Sequence, residues 1–181
     1  MFELSKPSSR EDDPRSTRPP LSIRAATARD IPAILGIEQS APPAAHWSAE
    51  HYLSRVQSQP QSACLLVAEF RDAADRSELS GFLCARIVAG EWEIENVVVH
   101  PSVRRQGIGA QLMRSLIDRW QEDAGTVVLL EVRESNRAAR ALYERCGFLE
   151  TGCRADYYRG PEEAAVLYTL GTPAAGGRSG P

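Results

Sequence analysis

Glu91-Trp-Glu-Ile-Glu-Asn-Val-Val-Val-His-Pro-Ser-Val-Arg-Arg-Gln-Gly-Ile-Gly-Ala110 is the stretch on which the fold turns. Its first part, Glu91 to Val99, is rich in β-branched and apolar residues and reads as a strand. His100 to Ile108 is a short loop with a proline, two arginines and the start of a glycine pair. Behind it, Ile108, Leu112, Met113, Leu116, Ile117 and Trp120 recur at helical spacing, while Gln111, Arg114, Asp118, Arg119 and Glu122 cover the other side. The loop therefore delivers a strand into the start of a long helix. Glycines there let the backbone approach a ligand and adopt unusual dihedrals. The first N–H groups of a helix have no intrahelical partner, and the dipole makes that end positive. A pyrophosphate fits such an end, with Arg104 or Arg105 adding charge. Taken alone, the pattern reads equally well as a tight turn, since no Gly-Lys-Ser/Thr follows and the third glycine of a dinucleotide fingerprint is missing.

Working outward, Ala89-Gly90 is a tight turn back to a strand at Leu79 to Val88, and Ala63 to Phe70 is another. Leu21 to Ala26 alternates as a first strand. Asp30 precedes a helix containing Ile31, Ile34, Leu35 and Glu38, with Pro32 tolerable in its first turn. Ala41 to Trp47 is a loop, and Ser48 caps a second short helix. Downstream, Gly125 ends the long helix and Thr126 to Val132 is a strand. A helix opens at Ser135 or Asn136 and closes at Gly147. Phe148 to Gly152 and Ala164 to Leu170 are the last strands. Hairpins first and βαβ units later imply an α/β (α+β) chain, with a mixed sheet of about six to seven strands flanked by about four helices.

The chain has 181 residues, enough for one domain with a proper core. Residues 1–20 are polar and proline-rich and read as a disordered extension, the domain spans 21–170, and 171–181 reads as a disordered tail. A net charge of −3 excludes a global field that would recruit nucleic acid or an anionic membrane. No apolar run approaches the roughly 18 residues of a membrane span, and no signal peptide is visible. Cys64, Cys84, Cys146 and Cys153 form no CxxC pair, so they read as buried free thiols in a reducing cytoplasm, with no metal cluster.

Glu95-Asn-Val-Val-Val-His-Pro101, Arg104 to Ala110, Leu130-Glu-Val-Arg133, Ser135-Asn136, Ala141-Leu-Tyr143 and Cys146-Gly-Phe148 follow one another in this order. Together they resemble the GNAT superfamily of acyl-CoA-dependent N-acetyltransferases, with Arg104, Gly107 and Gly109 in the places of its [Q/R]xxGxG/A loop. The resemblance implies the GNAT fold and acetyl-CoA as co-substrate, in a splay between the Glu91–Val99 and Thr126–Val132 strands. It implies that the backbone of Val97, Val98 and Val99 meets the pantetheine arm. It also implies that backbone amides from Arg105 through Gln106, Gly107, Ile108 and Gly109 to Ala110 hold the pyrophosphate, and that Asn136 contacts the cofactor. Asn136 reads equally as a helix cap, and the valines as core.

Amide formation needs a neutral amine, a polarised thioester and a protonated leaving thiolate. An α-amine titrates near ~7.7–8.0 and lysine near ~10.4, so at neutral pH one modest base suffices for a chain terminus. Glu131 interrupts an apolar strand on the face of Val127 and Leu129, and is either a base near a cleft or paired with Arg133 or another base. Partial burial would raise its pKa towards a useful range. Tyr143 has a hydroxyl that is protonated at neutral pH, able to donate to the departing sulfur or simply to pack. In the resembled family the matching residues are base and acid for direct attack in a ternary complex. A covalent route through Cys146 or Cys153 has no neighbouring histidine in sequence.

Leu129 to Phe148, the Ala45-His-Trp-Ser48 loop and Asp156-Tyr-Tyr-Arg159 resemble most the RimI type within that superfamily, which acetylates the N-terminal alanine of a small-subunit ribosomal protein. This implies a protein N-terminus as acceptor, with Trp47, Tyr157 and Tyr158 lining a peptide groove or packing loops onto the sheet. The other readings are a small-amine enzyme, whose cationic substrate would need acids such as Glu93, Glu95 or Glu134, and an idle acyl-CoA-binding module. A monomer or weak homodimer without nucleic acid or membrane partner completes the expectation.

Overall fold

The computed structural model describes residues 20–41, 47–71, 74, 76–159 and 161–171. The polar segments expected to be disordered, 1–20 and 171–181, lie outside the described residues apart from Pro20 and Gly171. Seven strands form one sheet: β1 (Leu21–Ala25), β2 (Ala63–Arg71), β3 (Ser77–Val88), β4 (Glu91–Val99), β5 (Val127–Arg133), β6 (Leu149–Tyr158) and β7 (Glu163–Gly171). Their order is β1-β2-β3-β4-β5-β7-β6. Neighbours run antiparallel except β4 and β5, which are parallel across the helical connection, as the hairpin-then-βαβ reading of the sequence requires.

Helices α1 (Ile31–Gln39) and α2 (Ala49–Gln57) cover one face, α3 (Ile108–Glu122) and α4 (Arg137–Arg145) the other. Strand β2 is buried on both faces. Its Leu65 and Val67 join Ile34, Ile37 and Tyr52 on the α1/α2 side, and its Cys64, Leu66 and Ala68 join Leu112, Met113 and Leu116 of α3. Each of those leucines is fully buried, and truncating one to alanine would cost about 2–5 kcal/mol. Ser48 caps α2 by accepting from the His51 N–H, as its position before an amphipathic run suggests.

Three expectations need correction. Cys64 and Cys84 are buried free thiols as expected, but Cys146 is half-buried and Cys153, on the exposed edge strand β6, is open to solvent. The long helix ends at Glu122 with Asp123 as its C-cap, and the left-handed residue that follows is Ala124 (φ 50°) rather than Gly125. Gly125 is needed for space, because a Cβ there would lie 2.1 Å from Trp120 Cδ1. The strand expected over 148–152 runs on to Tyr158. It is a mostly exposed edge strand, so its residues do not alternate between core and water, and register shifts at Glu150/Gly152 and Arg154/Tyr158 break what pattern remains. Tyr157 and Tyr158 thus end a strand and do not sit in a loop.

Pairing of β4 with β5 runs from Glu91–Val127 to Ile94–Leu130 and stops there. At the same point β4 carries a bulge: Ala85 opposes Ile94 and Cys84 opposes Asn96, leaving Glu95 as the extra residue. The bulge reverses which side chains face which layer. Trp92 and Ile94 pack with α3, whereas Val98 packs with α1 and α2. It also bends β4 away from β5, so residues 95–99 and 131–133 diverge as the sequence resemblance implied.

Candidate active site

The loop between β4 and α3 has the backbone of an anion cradle. Arg105 (φ 67°) and Gly107 (φ 81°) both lie in the left-handed region, and Gly107 is the N-cap of α3. Successive residues of this kind turn their N–H groups towards one concavity. The N–H groups of Ile108, Gly109 and Ala110 open the helix and have no carbonyl partner within it. The two glycines have different jobs. A Cβ on Gly107 would meet nothing within 4 Å, so the dihedral is what demands glycine. A Cβ on Gly109 would come within 3.1 Å of Leu142 in α4 and 3.8 Å of Val99, so that glycine lets α3 sit close to both elements. The exposed Arg104 turns back, its Nε donating to the Val99 carbonyl at 3.1 Å. Arg105 and Gln106 are exposed at the rim.

Across the splay, Glu131 is half-buried on β5 at the first position beyond the β4 pairing. Its carboxylate is paired with Arg154 of β6 at 2.8 Å, and its closeness pushes the Tyr157 hydroxyl above the usual phenol range. Arg133, the partner considered from sequence, instead bonds Glu163 at 3.2 Å and lies over the Tyr158 ring, 4.2 Å from its centroid. Tyr143 is buried on α4, its ring against Phe148 and Tyr168, and burial pushes its hydroxyl well above the usual phenol range. Among the described residues no hydrogen bond holds that hydroxyl. Asn136 caps α4, its side chain accepting from the Ala139 N–H at 3.2 Å, so the capping reading is realised. Trp47 is half-buried with its ring 4.0 Å from that of His51 and 5.6 Å from that of Tyr52, which fastens it to α2. Tyr157 is exposed and edge-on to Tyr158.

Known proteins match this arrangement. Residues 31–148 match the Acetyltransferase (GNAT) family. The chain belongs to the GNAT acetyltransferase family. The [ribosomal protein bS18]-alanine N-acetyltransferase of Salmonella typhimurium is 34% identical over 149 residues, covering 81% of this chain and 95% of that protein. The N-alpha-acetyltransferase RimI of Mycobacterium tuberculosis is 45% identical over 80 residues, covering 44% of this chain and 48% of that protein. The crystal structure of the Escherichia coli ribosomal-protein-S18-alanine N-acetyltransferase aligns with a TM-score of 0.70 at 31% identity, over 86% of this chain and 96% of that one. NAA60 of Arabidopsis thaliana in complex with acetyl-CoA shares the fold, with a TM-score of 0.73 at 19% identity over 83% and 98%. This chain is thus a GNAT N-acetyltransferase with the seven-stranded GNAT fold.

In this acetyltransferase the residues singled out from the sequence lie on four elements: 97–99 on β4, 104–110 in the loop and first turn of α3, Glu131 on β5 and Tyr143 on α4. Three groups escaped the sequence. Arg154 pairs with Glu131 only because β6 returns beside β7, a long-range pairing that no local pattern announces. Arg55 of α2 clamps Glu95 through Nε and Nη2 at 2.9 and 2.6 Å, and Arg86 pairs with Glu93. Glu38 is buried with Tyr52 and Asn96. Its signal was present, since it falls four residues after Ile34 on the buried side of α1. Among the described residues no cluster could hold a metal ion, and no helix is long and apolar enough to cross a membrane.

Proposed function

We propose that the chain transfers the acetyl group of acetyl-CoA to the α-amine at a protein N-terminus, with N-terminal alanine of a small-subunit ribosomal protein as its physiological acceptor. The observation that carries this reading is the parting of β4 from β5 at Ile94–Leu130, with Glu131 one step beyond it. The parted edge of β4 offers backbone at residues 97–99 to a pantetheine arm, and the first turn of α3 offers N–H groups to its pyrophosphate. Glu131, held by Arg154, takes the ammonium proton directly or through water. The amine nitrogen then bonds the acetyl carbon and sheds its second proton as the C–S bond breaks, and the Tyr143 hydroxyl protonates the departing sulfur and is restored by the proton the nitrogen sheds. The phenol is protonated at working pH, and burial raises its pKa further, so it gives up its proton only as the thiolate charge develops beside it. A backbone N–H near Val97 or Val98 is the donor to the thioester oxygen.

The acceptor is argued from charge. Two of the three acids that might have received a polyamine are already neutralised, Glu93 by Arg86 and Glu95 by Arg55. What remains is the exposed Glu134 and one paired base, Glu131, beside the exposed Tyr157 and the half-buried Tyr158. This fits a single α-amine on an extended chain better than a polycation. The named activity of the bS18 relatives supports the alanine acceptor. The test is thiol release from acetyl-CoA against peptides beginning Ala-Arg, Ser and Met, a peptide whose only amine is an internal lysine, and spermidine. Turnover is expected on the free N-termini, fastest on Ala-Arg. Turnover on spermidine alone would overturn the reading, and tight CoA binding without turnover would leave an acyl-CoA-binding module.

A further inference from the structure

Glu38 does nothing in the reaction just described, yet it is one of the most deeply buried polar residues of the chain, 1% exposed. A carboxylate in such a place is unfavourable unless its oxygens are fully hydrogen-bonded. Glu38 meets that condition with three neutral donors, shared between its two oxygens. Oε1 accepts from the Tyr52 hydroxyl at 2.6 Å and from Asn96 Nδ2 at 3.0 Å. Oε2 accepts from the backbone N–H of Trp47 at 3.2 Å. Asn96 Nδ2 also lies 3.2 Å from the Tyr52 hydroxyl, which closes a triangle.

The two oxygens lead to different places. Asn96 directly follows the extra residue of the β4 bulge, and the backbone of 97–99 begins with the next residue. Trp47 lies between α1 and α2, immediately before the Ser48 cap of α2. One carboxylate thus grips β4 just before residues 97–99 and the Trp47 segment just before α2. An apolar side chain would fill the same space without either grip.

We propose that Glu38 is a positioning residue which, through Oε1, fixes the Asn96 bulge and hence the 97–99 backbone, and, through Oε2, fixes the Trp47 segment against which the acceptor docks. The inference rests on the site reading above. It makes the two halves of one carboxylate separable in kinetics. Asn96→Ala and Tyr52→Phe each remove a donor to Oε1 and leave the Trp47 contact. Glu38→Gln retains one acceptor oxygen, which the two donors at Oε1 claim, and turns its NH2 towards the Trp47 N–H.

Steady-state kinetics on the full chain, with acetyl-CoA and each acceptor varied in turn, separates the two arms. Asn96→Ala and Tyr52→Phe are expected to lower kcat about tenfold with the acceptor KM unchanged. Glu38→Gln is expected to raise the acceptor KM about tenfold with kcat and the acetyl-CoA KM unchanged. Tyr52→Phe deletes a single oxygen and keeps the ring against Phe82, so it carries the Oε1 arm if a more disruptive variant does not fold. A lowered Tm with unaltered kcat and KM in Tyr52→Phe would overturn the proposal, and so would one common factor on every constant in all three variants. The wild type is assayed first on the Ala-Arg peptide and on spermidine. If only spermidine turns over, the protein-terminus reading fails, while the split is still read with spermidine as acceptor.

Discussion

Replacing Gly107 with alanine isolates the backbone of the phosphate cradle from everything else. Gly107 sits at φ 81°, ψ −1°, and a Cβ there meets nothing within 4 Å, so the substitution adds no clash and removes no contact. What it adds is the left-handed penalty of an L-residue, about 1–2 kcal/mol. The protein has two ways to bear it. If the loop keeps its shape without cofactor, the fold loses that amount, and Tm falls by about 2–8 °C for a domain of this size. If the loop relaxes instead, stability is kept and the penalty is met on binding, which weakens acetyl-CoA about 5- to 30-fold. Thermal melts and calorimetric titration with acetyl-CoA, run on the same preparation, give two losses that add up to the single backbone term. Gly36→Ala is the control, for Gly36 lies exposed in α1 with nothing within 4 Å and an ordinary φ; it should stabilise by up to about 1 kcal/mol and leave binding alone. Wild-type Tm together with wild-type affinity in Gly107→Ala would refute the claim that the left-handed turn shapes the cradle.

Glu131→Gln should lower kcat by about 10²–10⁴ with acetyl-CoA affinity retained, and Tyr143→Phe should lower it while leaving the fold intact; unchanged turnover in both would remove the acid–base assignment. Arg24 grips Asp30 through two bonds of 2.8 Å and holds its carboxyl down at about 2, below the usual carboxylate range. A depressed folded-state value adds stability above the unfolded value of about 3.8 that fades as pH falls towards 2, so acid unfolding should come at higher pH in Asp30→Asn, measured by circular dichroism between about pH 5 and 2.

Much of this architecture was written locally. The strand at Glu91–Val99 matched residue for residue because an alternating apolar run between a tight turn and a proline leaves little else. The start of α3 at Ile108, the Ser48 cap and the left-handed Gly147 after α4 were legible for the same reason, since each depends on residues within one turn of itself. The bulge at Glu95 was not, because it is a mismatch between two strands and neither strand shows it alone. The Arg154–Glu131 pair and the placing of Gly125 beneath Trp120 were hidden likewise, as was the second glycine at Trp120, Gly171, whose Cβ would sit 2.8 Å from that indole. The resemblance supplied Glu131 and Tyr143 as a pair; their burial and partners came only with the fold.

The sheet is in effect two leaves on a short spine. Strands β1 to β4 make one leaf and β5, β7 and β6 the other, joined within the sheet by the short ladder from Glu91–Val127 to Ile94–Leu130. On the proposed reading, the backbone that meets the thioester belongs to the first leaf and Glu131 to the second. The gap that the attacking nitrogen crosses is then an opening angle, set by that short ladder. Side chains lining that spine, such as Trp92 and Val128, are where a distant substitution would change the rate without altering any group in the site.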